Sequence, residues 1–357
     1  MGNRDRVKYL FSSSNTVYGY STFIPELIAN LSEVYVLTGI QGAIKSNFIK
    51  ELGESLWRAG YEAEFWVSPL SSNLYEGVFF PQLAAAVIDG NSHKGDKWPG
   101  LEVRHTFVDL DQCLQEEKMK SFYSEAENIK EQVIKQDAEI ERFLRLAGEN
   151  YETAVNFEDE KTDRDVINNA VQSIIKCSLE GIIPEKHYYS PIVNIDGVAD
   201  TAEEISSMCR RRFILKGASG GGRKEIFETL AAYAKSRNCF VEYYHDGLRP
   251  EKINMLVVPS LQAAILDYNS CKIIVKPMDI MIDLDGEKGM SDCDSMKNNK
   301  KQRTLETFLF SARNELKKKY VYVRALEKLY YYAFDFHRLE ELQISLGQKI
   351  KKGIINI

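Results

Sequence analysis

The hydrophobic pattern along the chain changes period in the same way twice. The short apolar run Val34–Thr38 gives way to a glycine-containing stretch, then to apolar residues at helical spacing: Phe48, Ile49, Leu52, Leu56 and Trp57. Arg212–Lys216 opens the same succession, with Ile226, Phe227, Leu230 and Tyr233 on the helical face. Each helix is expected to stop at a residue suited to a left-handed C-cap, Gly60 or Asn238. A second strand follows at Ala63–Val67 or Phe240–His245, then an irregular stretch, then a fully apolar strand closing on Asp89 or Asp267. Thr106–Leu110 and Ile280–Leu284 read as the last strand of each half. Strands alternating with helices predict an α/β fold of two tandem three-layer domains, each with a parallel sheet covered on both faces.

The two halves are a repeat. A shift of 178 residues lays Val34–Asp89 over Arg212–Asp267, 56 positions without a gap, and eleven pairs are identical. They are Leu37/Leu215, Gly39/Gly217, Gly42/Gly220, Leu52/Leu230, Glu64/Glu242, Leu70/Leu248, Pro81/Pro259, Leu83/Leu261, Ala85/Ala263, Ala86/Ala264 and Asp89/Asp267. Ordinary residue frequencies would give about three or four. After a four-residue adjustment Val108-Asp109-Leu110-Asp111 pairs with Ile282-Asp283-Leu284-Asp285.

A long polar helical stretch follows each α/β unit. Met119, Ala126, Val133, Ile140 and Ala147 recur every seven residues, with Phe122, Ile129, Gln136 and Phe143 three after the first four. This is a heptad seam with one polar layer. Glu158–Arg164 reads as a charged turn and Val166–Leu179 as a returning helix; the second arm covers about 302–352 and is rich in Tyr. The expected domains are 1–181, with its arm at about 112–181, and 182–357. Each arm is expected to form a helical hairpin or coiled coil, packed on itself or on its sheet edge, or to serve as a dimerisation or partner surface. Gly286–Lys301, rich in Asn, Lys and Asp, reads as a loose loop.

Composition narrows the function classes. The net charge of −6 argues against a general polyanion binder, so no nucleic-acid partner is expected. No apolar run approaches the roughly 20 residues of a membrane span, and the charged N-terminus resembles no signal peptide. The six cysteines are scattered singly, which reads as reduced thiols in a cytoplasmic protein rather than as a zinc site.

Chemistry concentrates where strand turns into helix. Phosphate binding there requires glycines that let backbone N–H groups curl around oxyanions, a Lys for the β/γ-phosphates and a Ser/Thr for Mg²⁺, the G-x-x-x-x-G-K-[ST] pattern. The first repeat reads Gly39-Ile40-Gln41-Gly42-Ala43-Ile44-Lys45-Ser46, with Lys45 and Ser46 in place but Ile44 where a glycine belongs. The second reads Gly217-Ala218-Ser219-Gly220-Gly221-Gly222-Arg223-Lys224, an open loop in which Arg replaces Lys and Lys224 replaces the hydroxyl. Asp89 and Asp267 end apolar strands, where an aspartate can hold Mg²⁺ or simply shape a turn. No residue stands out as catalytic; Glu64, Glu242 and His245 are weak candidates for a base.

With these loops, the repeat, the paired segments Phe79–Asp89 and Val257–Asp267 and the helical arms, the chain resembles a group of uncharacterised bacterial tandem P-loop proteins. They come mainly from Firmicutes and are described generically as ATPases or nucleotide-kinase-like proteins. The resemblance spans nearly the whole chain. It implies ATP, or another nucleotide, at Gly39, Gly42, Lys45 and Ser46 and at Gly217, Gly220, Gly222, Arg223 and Lys224, with Asp89 and Asp267 as metal-side acids. The group carries intact Gly-Lys-Ser/Thr loops, and this chain departs at Ile44, Arg223 and Lys224. The expected function is therefore nucleotide binding with weak or lost hydrolysis, Mg²⁺ belonging to site one. An active ATPase or small-molecule kinase at site one and a nucleotide-free interaction scaffold are the alternatives.

Overall fold

Strands that are apolar on both faces need two covers, and here the covers come from different sources. The computed structural model describes residues 7–40, 43–90, 105–155, 185–217, 220–236, 239–284 and 292–352. The first half contains β1 (Val7–Leu10), the hairpin β2 (Ser13–Thr16) and β3 (Gly19–Thr22), α1 (Ile24–Ile28), β4 (Glu33–Thr38) and α2 (Ala43–Arg58). It continues with β5 (Ala63–Val67), β6 (Tyr75–Phe80), β7 (Ala85–Asp89), β8 (His105–Asp109), α3 (Glu116–Lys120) and α4 (Tyr123–Val155). The second half repeats the order with β9 (Lys186–Tyr189), the hairpin β10 (Ile192–Asn194) and β11 (Gly197–Ala199), α5 (Ala202–Ser207), β12 (Arg211–Lys216) and α6 (Gly220–Ser236). Then come β13 (Glu242–His245), β14 (Ile253–Val258), β15 (Ala263–Asp267), β16 (Ile280–Asp283), α7 (Asp292–Ala333) and α8 (Phe336–Lys352).

Each half builds one six-stranded sheet, in the orders β1-β5-β6-β7-β4-β8 and β9-β13-β14-β15-β12-β16. The sheets are mostly parallel rather than wholly so, because β6 and β14 run antiparallel to both neighbours. Single 3₁₀ turns, Pro81–Leu83 and Pro259–Leu261, lead through Ala84 (φ 43°) and Gln262 (φ 49°) into the next strand. A link that short can only reverse the chain; a parallel return requires a dozen or more residues. The stretch expected to be irregular thus contains an extra strand.

The three-layer expectation fails for a related reason. One face of the first sheet packs on α2, through Phe48, Ile49, Leu52 and Leu56 against Leu37, Phe65, Val78 and Val87. One face of the second packs on α6, through Ile226, Phe227 and Leu230. The remaining faces meet each other: Val34, Val36, Trp66, Ala86 and Ile88 share one core with Ile214, Tyr244, Met255, Ala264 and Leu266. Helices α1 and α5 complete that core with Ile24, Leu27 and Ile205. The order of layers is helix, sheet, sheet, helix.

An approximate two-fold axis relates the halves. The offset of 178 also relates the N-terminal segments, where Lys8/Lys186, Ser12/Ser190, Gly19/Gly197 and Glu26/Glu204 are identical. Phe11 and Tyr189, one offset apart, bridge each other, the Tyr189 N–H donating to the Phe11 carbonyl at 2.7 Å. The hairpins cross over: Val17 N–H donates to Leu248 O (2.9 Å) and Ile195 N–H to Leu70 O (3.2 Å). Ion pairs cross too, with Lys8 Nζ 3.0 Å from Glu242 and Lys186 Nζ 3.0 Å from Glu64. Burial opposes the charge on Glu64, yet Lys186, the Trp66 N–H, the Tyr188 hydroxyl and Lys8 outweigh it and hold the carboxyl below its ordinary range.

The arms also follow the axis. Instead of folding on its own unit, α4 packs antiparallel on α7: Lys319 pairs with Asp137 at 2.7 Å, and Ile140 and Leu144 pack with Ala312 and Leu316. Met119, Ala126, Ile140 and Ala147 of the expected seam are buried. The second arm returns to the first unit, where Leu346 and Ile350 of α8 join the α2 core and Gln343 Nε2 donates to Phe48 O at 3.0 Å. Helix α7 begins at Asp292, so most of the segment expected to be a loop is helical. No Gly or Pro interrupts it, and its two early Asp residues suit a helix N-terminus. The expected turn Glu158–Arg164 and helix Val166–Leu179 lie outside the described residues. Among the described residues no helix is long and apolar enough to cross a membrane.

Removing the lysine of a crossed pair strands a buried carboxylate, so Lys186→Met should lower unfolding stability by about 3–5 kcal/mol in urea titration. The double change Lys186→Met with Glu64→Met leaves no charge unpaired and should recover a large part of that loss; equal losses would mean that the pair itself is unimportant.

Candidate functional site

Both candidate sites lie at the carboxyl ends of parallel strands, where α/β sheets gather ligands. At site one β4 ends at Gly39, whose φ of 83° favours glycine. A Cβ there would lie 2.6 Å from Asp111 Oδ1 and 2.8 Å from Asp109 Oδ1. The Asp111 carboxylate accepts the Ile40 N–H at 2.8 Å, anchoring the start of the loop. Gly42 lies outside the described residues. Ile44, the residue that breaks the motif, is buried in the α2 core and contributes to packing.

Lys45 is wholly buried, and its Nζ sits 2.9 Å from Asp89 Oδ1. Ser46 Oγ accepts the Tyr75 N–H at 2.8 Å, which ties the start of β6 to the first turns of α2. The β6–β7 register that pairs Gly77 with Ile88 sets Glu76 opposite Asp89. Strand alternation puts both on the α2 face with Val78 and Val87. Glu76 is only 8% exposed; its Oε1 accepts the Tyr20 hydroxyl at 3.2 Å, and its Oε2 has no hydrogen-bonding partner among the described residues. Burial pushes this carboxyl up to about 8, the Asp89 charge adding to the effect and the hydroxyls of Ser13 and Tyr20 and the Lys319 ammonium opposing it. Lys45, Ser46, Asp89 and Glu76 thus gather at one place.

Site two has the same plan and a different filling. Arg223 Nη1 reaches both oxygens of Asp267 at 3.1 and 3.2 Å, and its Nη2 donates to Gly217 O. The Ser270 hydroxyl donates to Asp267 Oδ2 at 2.7 Å, the Asn269 N–H donates to Oδ1 at 3.0 Å, and Lys252 Nζ lies 3.6 Å away. The Asp267 side chain is 1% exposed against 21% for Asp89. Opposite Asp267, where unit one has Glu76, stands Asn254, whose amide is tied to Ser190 O and Asp246. Gly220 and Gly222 lie in the first turn of α6, while Lys224 is 74% exposed and faces Glu228 on the outer side of that helix. Arg223 and Asp267 come together; Lys224 does not join them. Among the described residues no group of three or more His, Cys, Asp or Glu side chains is arranged to hold a metal ion.

Glu64 and Glu242 lie between the sheets in the crossed ion pairs, far from the role of a base. His245 is also committed. Its Nδ1 lies 2.6 Å from Pro250 O and its Nε2 2.9 Å from His187 Nδ1. A carbonyl accepts only, so Nδ1 carries the hydrogen, Nε2 accepts from His187, and the His245 ring is neutral. Phe23 of the first unit stacks on Tyr189 and leans on both imidazoles. Glu185, Glu26 and Lys235 are the charges that act on His187.

Sequence reasoning missed Glu76, Lys252 and Ser270. Glu76 carried a signal, a lone acid at the start of the run Tyr75–Phe80 that the repeat aligns with another polar residue, Asn254. Lys252 carried none, its counterpart being Leu74, whereas the repeat aligns Asn269-Ser270 with Asn91-Ser92, which lie outside the described residues. Comparison with protein-family models, with curated proteins and with solved structures finds no match.

Burial and the neighbouring His187 depress His245 to about 4 from an ordinary 6.5. The unfolded chain therefore binds a proton before the folded one does, and stability is lost as pH falls from about 6.5 towards 4. Calorimetric Tm should drop across that window, and His245→Gln should flatten the drop; an unchanged slope would count against the assignment.

Proposed function

We propose that the protein binds a nucleoside triphosphate, ATP in the first instance, at site one, and that site two is a structural relic of the same plan. The single observation behind this reading is the contrast between the two aspartates. Asp267 is 1% exposed and held by the Arg223 guanidinium through Nη1, so a phosphate arriving there would have to break a buried ion pair. Asp89 is more accessible and holds a Lys, a point charge that can swing to a phosphate. In this reading Gly39, Gly42 and Lys45 receive the phosphates, while Ser46 and Asp89 lie on the side of Mg²⁺. The free thiols of Cys113, Cys209, Cys239 and Cys271 suit a reducing, cytoplasmic setting.

Weak or lost hydrolysis, with a regulatory or structural role for the bound nucleotide, remains the first form of the proposal. Glu76 gives specific support to a second form, phosphoryl transfer at site one, since a buried acid with a perturbed pKa opposite Asp89 is the kind of group that often marks a reactive site. A scaffold that binds no nucleotide has less support, because the apolar seams of α4 and α7 are spent on each other.

A thermal-shift panel decides among them. ATP at 100 times its Kd should stabilise the chain by roughly 2.7 kcal/mol, and Lys45→Ala should abolish the shift. Calorimetric titration should give one nucleotide per chain. Two per chain would overturn the assignment of site two, and no shift at all would leave the scaffold.

A further inference from the structure

We propose that Glu76 is the general base of site one, held by Tyr20 with its second carboxyl oxygen towards the attacking water or hydroxyl. The inference rests on the second form of the function proposed above, phosphoryl transfer at site one. Three observations carry it.

The first is position. Glu76 is the second residue of β6, set opposite Asp89 by the register that pairs Gly77 with Ile88, and its neighbour Tyr75 is bonded to Ser46, so the carboxyl belongs with Lys45, Ser46 and Asp89. The second is its incomplete satisfaction. A carboxyl more than nine-tenths buried normally has partners for both oxygens, yet only Oε1 has one, the Tyr20 hydroxyl. In its ionised form an oxygen left over at such a place accepts a hydrogen bond from a water or alcohol, which a phosphate oxygen cannot donate.

The third is the internal control that the duplication supplies. At the equivalent position stands Asn254, whose Oδ1 is likewise without a hydrogen-bonding partner among the described residues but belongs to an amide that cannot take a proton, and there the aspartate is held by Arg223. The acid is present where the site is accessible and absent where it is sealed.

The step balances without any further reagent. The nucleophile's O–H proton passes to Glu76 Oε2 as its oxygen bonds to the terminal phosphorus. The bond from that phosphorus to the β,γ-bridging oxygen breaks, and the nucleoside diphosphate leaves with the electron pair. Lys45 is the charge placed to stabilise the transferring group. Tyr20 is a positioning residue, acting through Glu76.

The experiment measures ATP-induced thermal shift and release of labelled phosphate from γ-labelled ATP side by side, with Mg²⁺, in the full chain. Glu76→Gln should keep the shift and KM while kcat falls by roughly 100-fold or more, the usual contribution of a general base. A kcat within about 3-fold of the parent overturns the assignment. A parent chain that shows the shift but no turnover overturns it while leaving the nucleotide site intact, and a parent chain with no shift removes both. If Glu76→Gln does not fold, Tyr20→Phe takes its place: kcat should fall by about 10-fold at unchanged KM, and an unchanged kcat refutes the role.

Discussion

Glu64 and Glu242 are buried between the two sheets, and each is neutralised by a lysine from the other half of the chain. Everything else in the architecture is arranged around this exchange. Within each sheet the Lys and Glu strands are already neighbours in register, Lys8 beside Glu64 and Lys186 beside Glu242. The side chains nevertheless reach across, so neither unit can satisfy its own buried acid. Taking a carboxylate out of water is costly unless a partner and further hydrogen bonds replace the solvent. Trp66 and Tyr188 complete the shell for Glu64, and Tyr244 serves Glu242. The apolar contact between the sheets supplies area; the crossed charges supply register.

That constraint explains why the hairpins and arms also exchange. Once the sheets are fixed face to face around an approximate two-fold axis, each hairpin lies nearest the β5–β6 or β13–β14 loop of the opposite unit and bonds there. Helices α4 and α7 then meet at the axis and pack antiparallel, as equivalent elements of a two-fold interface must. The arrangement is that of a homodimer carried on one chain. Fusion releases the halves from having identical sequences, and the sites show the result.

The legible part of this fold was the local part. The strand–glycine–helix succession, the repeat and the strand-ending aspartates are short-range patterns, and the sheets contain those strands where the periodicity set them. Strands β6 and β14 escaped because they are as apolar as their neighbours, and a two-fold period says nothing about direction. The layer order was hidden for a deeper reason: Val34, Val36 and Ile88 are equally well buried by helices or by a second sheet. Nothing local to Lys8 or Lys186 points to their partners, which lie 234 and 122 residues away. In the sites, the motif letters located Lys45 and Arg223 but not what holds them. Arg223 read as a phosphate clamp, and it is a clamp on Asp267 instead.

The divergence of the two sites follows from what each cation can do. The Arg223 guanidinium divides its donors between Asp267, reached through Nη1, and the Gly217 carbonyl, reached through Nη2, so once Arg stood beside Asp267 the pair became part of the core. An ammonium carries three rotatable donors on a flexible stem and can be drawn elsewhere, so Lys45 beside Asp89 leaves the first site capable of change. Glu76 and Asn254 differ in chemistry rather than in satisfaction: each has a buried oxygen without a partner among the described residues, but only the acid can take a proton. A symmetric frame needs only one rigid member at such a position to stay together. In this chain the second site has become that member, and the retained carboxyl chemistry is confined to the first.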